Sequence, residues 1–169
     1  MEDGVRLQAR LGSGAEDTER RGAGAGERSG RHGAGGGGAE LGDPGAVLQH
    51  GQRLTERDPG LEVAVVANEV PPLPAAVEVA AYRIASEALN NVSRHAGARN
   101  CRVGIALDAG GSLVVEIEDD GVGLPAQASA GVGLTAMRER AVELGGTCEA
   151  VRGALGGTRV EARIPVGSR

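Results

Sequence analysis

Glu87 and Asn91 stand four residues apart, the spacing that puts an acid and an amide on one face of a helix. Magnesium takes oxygen ligands, keeps several of its waters and bridges substrate phosphates, so an amide oxygen from Asn91 suits such a site. Glu87 is spaced to accept a proton from an attacking hydroxyl or water, or to orient that group. Downstream, Asp119-Asp120-Gly121-Val122-Gly123 closes an apolar strand in a glycine turn. A carboxylate there can accept a hydrogen bond from an exocyclic amino group such as that of adenine. Gly121 and Gly123 would let backbone approach a flat base with no side chain in the way. Gly131-Val132-Gly133 comes just before a helix reading, and a helix N-terminus favours a phosphate. Gly156-Gly157-Thr158 turns into a final strand, where the Thr158 hydroxyl can bond beside the base or beside Asp119.

Each piece has an ordinary alternative when taken singly. These are a solvated polar stripe, an Asp-Gly turn, a ligand-free glycine loop and a hairpin turn. Together, in this order, they suit a nucleotide pocket with the small-residue stretch 124–130 as its lid.

Composition narrows the classes. All eighteen basic residues are arginines, so a lysine phosphate loop, a Schiff-base lysine and a lysine nucleophile are excluded. The net charge is -5 with both signs interspersed, and Tyr82 is the lone aromatic, which gives nucleic-acid binding neither a basic footprint nor a stacking platform. Cys101 and Cys148 sit far apart in apolar stretches and read as buried, reduced thiols. No apolar run approaches the ~20 residues of a membrane span and the polar start is no signal peptide, so the expectation is a cytoplasmic chain without membrane contact.

The elements that must position the pocket follow from periodicity. More than half of the 30 glycines fall in the first sixty residues, and residues 1–44 are expected to be disordered because they hold too little apolar surface to offset ordering entropy. Residues 45–60 form a lead-in with a short helix over 44–57, and residues 61–166 form the domain proper, with 167–169 as a tail. Residues 61–66 read as a strand. Val77, Ala81, Ile84, Ala85, Ala88, Leu89 and Val92 then recur at helical spacing and predict a helix over 75–95, stopped by Gly97. Alternation predicts strands around Cys101–Leu107 and Leu113–Glu118, a helix over 134–144, and a hairpin pairing 148–152 with 158–164. Antiparallel strands with one wet face require helices on the other. The fold class is α+β, a two-layer α/β sandwich with a mixed, mainly antiparallel sheet.

The combined motifs closely resemble the ATP-binding domain shared by gyrase, heat-shock chaperone, histidine kinase and mismatch-repair ATPases, the Bergerat-type ATP-binding fold. The resemblance covers residues 61–166. It puts the catalytic candidate Glu87 and Asn91 in the asparagine box, with Asn91 as the magnesium ligand. It assigns Asp119, Gly121 and Gly123 to the adenine box, and Gly131, Val132, Gly133 and Leu134 to the glycine box beside the lid. Gly157 and Thr158 fall in the last box. The runs Ala81-Tyr82-Arg83-Ile84-Ala85-Ser86-Glu87-Ala88-Leu89, Asn91-Val92-Ser93-Arg94-His95-Ala96 and Gly133-Leu134-Thr135-Ala136-Met137-Arg138-Glu139-Arg140 resemble one subgroup. These are the bacterial sensor histidine kinases that pair with helix-turn-helix response regulators. That resemblance puts Arg94 and His95 near the phosphates; as a residue at a helix end, His95 is equally a cap.

A histidine kinase also needs a phosphoacceptor histidine on a dimerising helical hairpin, and none of His32, His50 and His95 has that context. Residues 1–44 are read as standing where that hairpin belongs, through truncation, a misplaced start or a frame shift. Three functions therefore stand. The first is the catalytic domain of a sensor kinase, using ATP and Mg2+ on a histidine supplied in cis or in trans and serving a response regulator indirectly. The others are an anti-sigma-type protein-serine kinase and a non-catalytic ATP-binding module. Met137-Arg138-Glu139-Arg140 and Leu144-Gly145-Gly146-Thr147 favour the first over the second.

Overall fold

A computed structural model describes residues 44–68, 70–124 and 131–167. The expected disorder of residues 1–44 falls outside the described residues except at Pro44, and the lid residues 125–130 fall outside them too. Helix α1 (Pro44–Arg57) is followed by β1 (Glu62–Ala67) and α2 (Ala75–Asn91). The antiparallel pair β2 (Asn100–Leu107) and β3 (Ser112–Asp119) comes next. Helix α3 (Val132–Glu143) and the hairpin of β4 (Thr147–Arg152) and β5 (Thr158–Pro165) complete the domain.

The five strands order as β1-β2-β3-β5-β4. β1 pairs with β2 in parallel, with α2 as the crossover between them, and every other pairing is antiparallel. Alternation decides which face is dry. Val63, Val65, Cys101, Val103, Ile105, Leu113, Val115, Ile117, Val160, Ala162 and Ile164 point into one core under Ile84, Ala85, Leu89, Met137 and Ala141 of the helices. The opposite face carries an ion-pair ladder. Arg159 bonds Glu116 (2.5 Å) and Glu161, while Arg163 bonds Glu161 (2.7 Å) and Asp108 (3.0 Å). Exposed pairs of this kind contribute little to stability, so the core face holds the sheet. The two-layer mixed sheet expected from the sequence is the fold observed.

Most boundaries shift by a residue or so from the sequence reading, and three of the shifts have a local reason. β1 runs one residue later, because its register is set by pairing Glu62 with Asn100. Regular α-helix stops at Asn91 rather than 95, and Val92–Ala96 forms a π-helical stretch. There the Val92 N–H is shared between the Ala88 and Leu89 carbonyls, and Gly97 ends the segment in the left-handed conformation at φ 57°. Helix α3 begins at Val132 rather than 134, so Val132 and Gly133 lie inside its first turn instead of before it.

One buried group on α2 lacks a partner. The Ser86 hydroxyl oxygen is buried and makes no hydrogen bond. Ser86→Ala removes that orphan and improves helix propensity, so it is expected to raise stability by about 1 kcal/mol in a denaturant melt. A loss of that size instead would show that the hydroxyl has a partner.

Candidate functional site

α2 and the start of α3 stand side by side on the sheet, and a cavity of ≈ 540 Å³ opens between them. Its floor is Ile117, Asp119, Thr158 and Val160, at the ends of β3 and β5. One wall is Ala88, Asn91, Val92, His95 and Ala96; the other is Gly131, Val132, Gly133 and Leu134. Val122, Gly123 and Leu124 form the rim where the chain enters residues 125–130. The lining is mostly apolar with a few converging polar groups, the character of a small-molecule site.

Asp119 is the one buried charged residue among those described, 2% exposed. Its Oδ1 accepts the Gly121 N–H at 2.8 Å, the tight local bond of an Asp-Gly turn. Continuing the Glu118–Arg159 register by one step sets Thr158 opposite Asp119 at the cavity floor. Gly157 lies directly behind. A Cβ there would come within 2.2 Å of both the Asp119 carbonyl and Oδ1. Gly121 is equally hemmed in, since a Cβ would meet the Ala96 carbonyl at 2.2 Å. That same carbonyl accepts the Val122 N–H at 2.9 Å, so the π-helical end of the α2 segment is fastened to the Asp119 turn.

Asp120 does a separate task that the sequence reading missed. It accepts from the Arg99 N–H (2.8 Å), the Asn100 N–H (2.9 Å) and the Asn100 side-chain amide (2.7 Å). Those donors, the Asn100 backbone first, hold its carboxyl below the usual carboxylate range. Strand alternation offered a signal: Asp120 must point opposite to Asp119, toward the loop that opens β2.

Glu87 and Asn91 lie one turn apart, facing the first turn of α3. A Cβ on Gly133 would approach Glu87 Oε1 to 2.4 Å and the Asn91 amide nitrogen to 3.4 Å. The missing side chain of Gly133 is therefore the space in which acid and amide sit. A carboxylate and an amide oxygen beside helix-start backbone are donor types that would suit a hydrated magnesium ion and phosphates. Among the described residues no three His, Cys, Asp or Glu side chains cluster as a metal cage.

Of the residues singled out from the sequence, Asn91, His95, Asp119, Gly123, Gly131, Val132, Gly133, Leu134 and Thr158 line the cavity. Glu87, Gly121 and Gly157 stand behind that lining, in the contacts just described. Arg94 is exposed and is not brought to the cavity. The apolar lining residues Ala88, Val92, Ile117 and Val160 look in the sequence like any core position.

Cys101 pairs with Asp119 across β2 and β3. Burial above all, and then the Asp119 and Asp120 charges, push the Cys101 thiol up to about 12. An unfolded thiol ionises near ~8.5, so between there and about 12 the unfolded chain holds fewer protons than the folded one. Stability is therefore complete below that window and falls as pH rises through it. Melts at pH 8 and pH 10 should show wild type losing stability on the order of 1 kcal/mol per pH unit relative to Cys101→Ala. Parallel pH profiles would remove this assignment.

Residues 76–168, more than half of the chain, match the model of the histidine kinase-, DNA gyrase B-, and HSP90-like ATPase, and the chain belongs to that family. Within it, the likeness is to the ATP-binding domains of sensor histidine kinases. The chain is 42% identical over 89 residues to the signal transduction histidine-protein kinase/phosphatase UhpB of Salmonella typhimurium, covering 52% of this chain and 17% of that protein. It is 34% identical over 92 residues to the sensor histidine kinase LiaS of Bacillus subtilis, covering 53% of this chain and 25% of LiaS. The blue-light activated histidine kinase of Erythrobacter litoralis superposes with a TM-score of 0.64 at 25% identity, over 75% of this chain and 42% of that one. The ATP binding domain of PrrB from Mycobacterium tuberculosis shares the fold, with a TM-score of 0.57 at 23% identity over 74% of this chain and 94% of that one. The matched region is thus about a quarter or less of the length of UhpB and LiaS.

Proposed function

We propose that the cavity binds ATP together with Mg2+ and that the domain passes the γ-phosphoryl group to a protein histidine. That histidine is supplied in cis by further sequence or in trans by a second chain. A response regulator takes the group next, and the work is done in the cytoplasm, where ATP is held. The observation that carries this reading is the buried Asp119 carboxylate at the cavity floor, with Asn91 on the α2 wall facing Gly133 on the α3 wall and Glu87 just behind them. An acceptor at the floor suits the adenine amino group, and the wall suits phosphates.

In this scheme the residues position and neutralise rather than form bonds themselves. Asp119 and Thr158 fix the base, while the apolar walls exclude water around the ribose and base. The backbone at Gly131–Gly133, at the start of α3, receives the phosphates. Asn91 would hold Mg2+ through its amide oxygen, and the ion when bound would supply neutralisation of phosphate charge. Glu87 accepts the proton released as the histidine nitrogen bonds to phosphorus and ADP leaves. His95, at the cavity edge, adds a donor to the phosphate end.

Calorimetric titration of ATP with and without Mg2+ tests this. Wild type should bind ATP and bind it more tightly with the metal. Asn91→Ala should keep metal-free binding and lose most of the enhancement, on the order of tenfold or more. Unchanged magnesium dependence in Asn91→Ala would remove the residue from the site. Adding a sensor-kinase dimerisation domain in trans should yield an acid-labile phosphoprotein; an acid-stable product would point to serine transfer.

A further inference from the structure

A side-chain hydrogen bond joins the lead-in helix α1 to α2, next to the residue of α2 that lines the cavity. His50 on α1 donates from Nε2 to the Asn90 side-chain oxygen on α2, at 3.2 Å, across forty positions of sequence. Burial first of all lowers the His50 pKa below the ordinary imidazole value, which suits a neutral ring in this role. α1 itself is firmly seated. Val47 and Leu54 are buried in the common core, and Gly51, the neighbour of His50, lies so close to β1 that a Cβ would come within 2.9 Å of the Val63 side chain.

Asn90 precedes Asn91, and successive helical side chains point about a hundred degrees apart. Asn90 therefore faces α1 while Asn91 faces the cavity. The junction is also where regular helix gives way to the π-helical stretch, with the Val92 N–H split between two carbonyls. The His50–Asn90 bond ties the α2 side of that junction to a neighbouring helix, from outside its own backbone ladder.

We infer that His50 is a positioning residue for Asn91: through its hydrogen bond to Asn90 it sets the rotation of the last α2 turn, and so the direction of the amide offered to magnesium. The inference rests on the reading of the cavity as a Mg-ATP site. It makes α1 a working part of that site, although α1 contributes no residue to the cavity lining. A partner that supports a ligand typically changes metal affinity about 10- to 100-fold when removed, and this bond should fall at the lower end.

The test is ATP binding by calorimetry, with and without Mg2+, on the full chain and on His50→Ala, Asn90→Ala, the double variant and His50→Gln, with thermal melts of each. His50→Ala should weaken the magnesium-dependent enhancement roughly tenfold and leave metal-free ATP affinity within twofold of wild type. Asn90→Ala should do the same, and the double variant should be no worse than either single change. The glutamine amide can still donate to Asn90, so His50→Gln should recover the enhancement, which a purely structural effect on α1 packing would not predict. Equal weakening with and without metal, additive single effects, or no change at all would overturn the inference. If wild type shows no ATP binding, the site reading fails and this inference with it. If wild type shows magnesium-enhanced binding that His50→Ala retains, only the inference fails.

Discussion

Asp119→Asn is expected to leave the fold intact and to abolish nucleotide binding. The substitution conserves volume, and its remaining oxygen can still accept the Gly121 N–H now held at 2.8 Å. Orienting the amide that way turns its NH2 toward the cavity. In the proposed site a donor would then face the exocyclic donor of adenine, in place of the accepting carboxylate. Hydrogen bonds to charged acceptors are worth about 1.5–3 kcal/mol, and the opposed donors add the cost of an unpaired buried group. The sum is about 3–4 kcal/mol, or two to three orders of magnitude in Kd. Calorimetry alongside a thermal melt reads both halves of the prediction. Binding within fivefold of wild type in a normally melting Asp119→Asn would sink the adenine assignment; a collapsed melt would show that Asp119 is needed by the fold.

The second large effect belongs to a residue with no side chain. Gly157→Ala should destabilise the domain by about 3 kcal/mol, lowering Tm by roughly 10 °C. The new Cβ would sit 2.2 Å from the Asp119 carbonyl and Oδ1, and 2.6 Å from the Gly121 nitrogen. Two of these three atoms are backbone, so relief requires β5 to move away from β3 at the cavity floor. Gly157 is not among the glycines with positive φ, so the cost comes from contact alone. Gly133→Ala is the instructive control. Its nearest neighbour, Glu87 Oε1 at 2.4 Å, is the free end of a flexible side chain and can swing aside. That variant should melt within a few degrees of wild type while Glu87 is displaced from its place. A Gly157→Ala protein as stable as Gly133→Ala would contradict the packing described for the floor.

These two glycines also show where sequence reading was strong and where it was blind. The helices and strands were legible because core positions recur at clean periods, as in Leu113, Val115 and Ile117 on β3. Spacing alone put Glu87 and Asn91 on one face. The positions of Gly121 and Gly157 in their motifs were legible; that each is pinned against a carbonyl was not, because contact distances across strands leave no local trace. The π-helical stretch was likewise invisible. Val92 and His95 continue the helical pattern, and only the bond from Ala96 to Val122 shows what the wider turn joins. Nor could periodicity reveal that β1 runs parallel to β2, since an edge strand's direction is decided by its crossover. His50 was considered as a phosphoacceptor and set aside for its context; its contact with Asn90 depends on how α1 docks, which no pattern within α1 encodes.

The sheet order has a consequence for how this chain is made. β5 is the last strand in sequence, yet it lies between β3 and β4. Until the ribosome has passed Pro165, β3 offers an open edge and β4 has no neighbour at all. The cavity floor, which needs Thr158 and Gly157 against Asp119, is then also unfinished. During synthesis the nascent domain therefore carries a row of unpaired backbone groups beside a half-covered core, a state prone to pairing with other chains. A premature stop anywhere before β5 would leave that state permanent, and its product should be cleared by proteolysis rather than persist as a shortened ATP-binding protein.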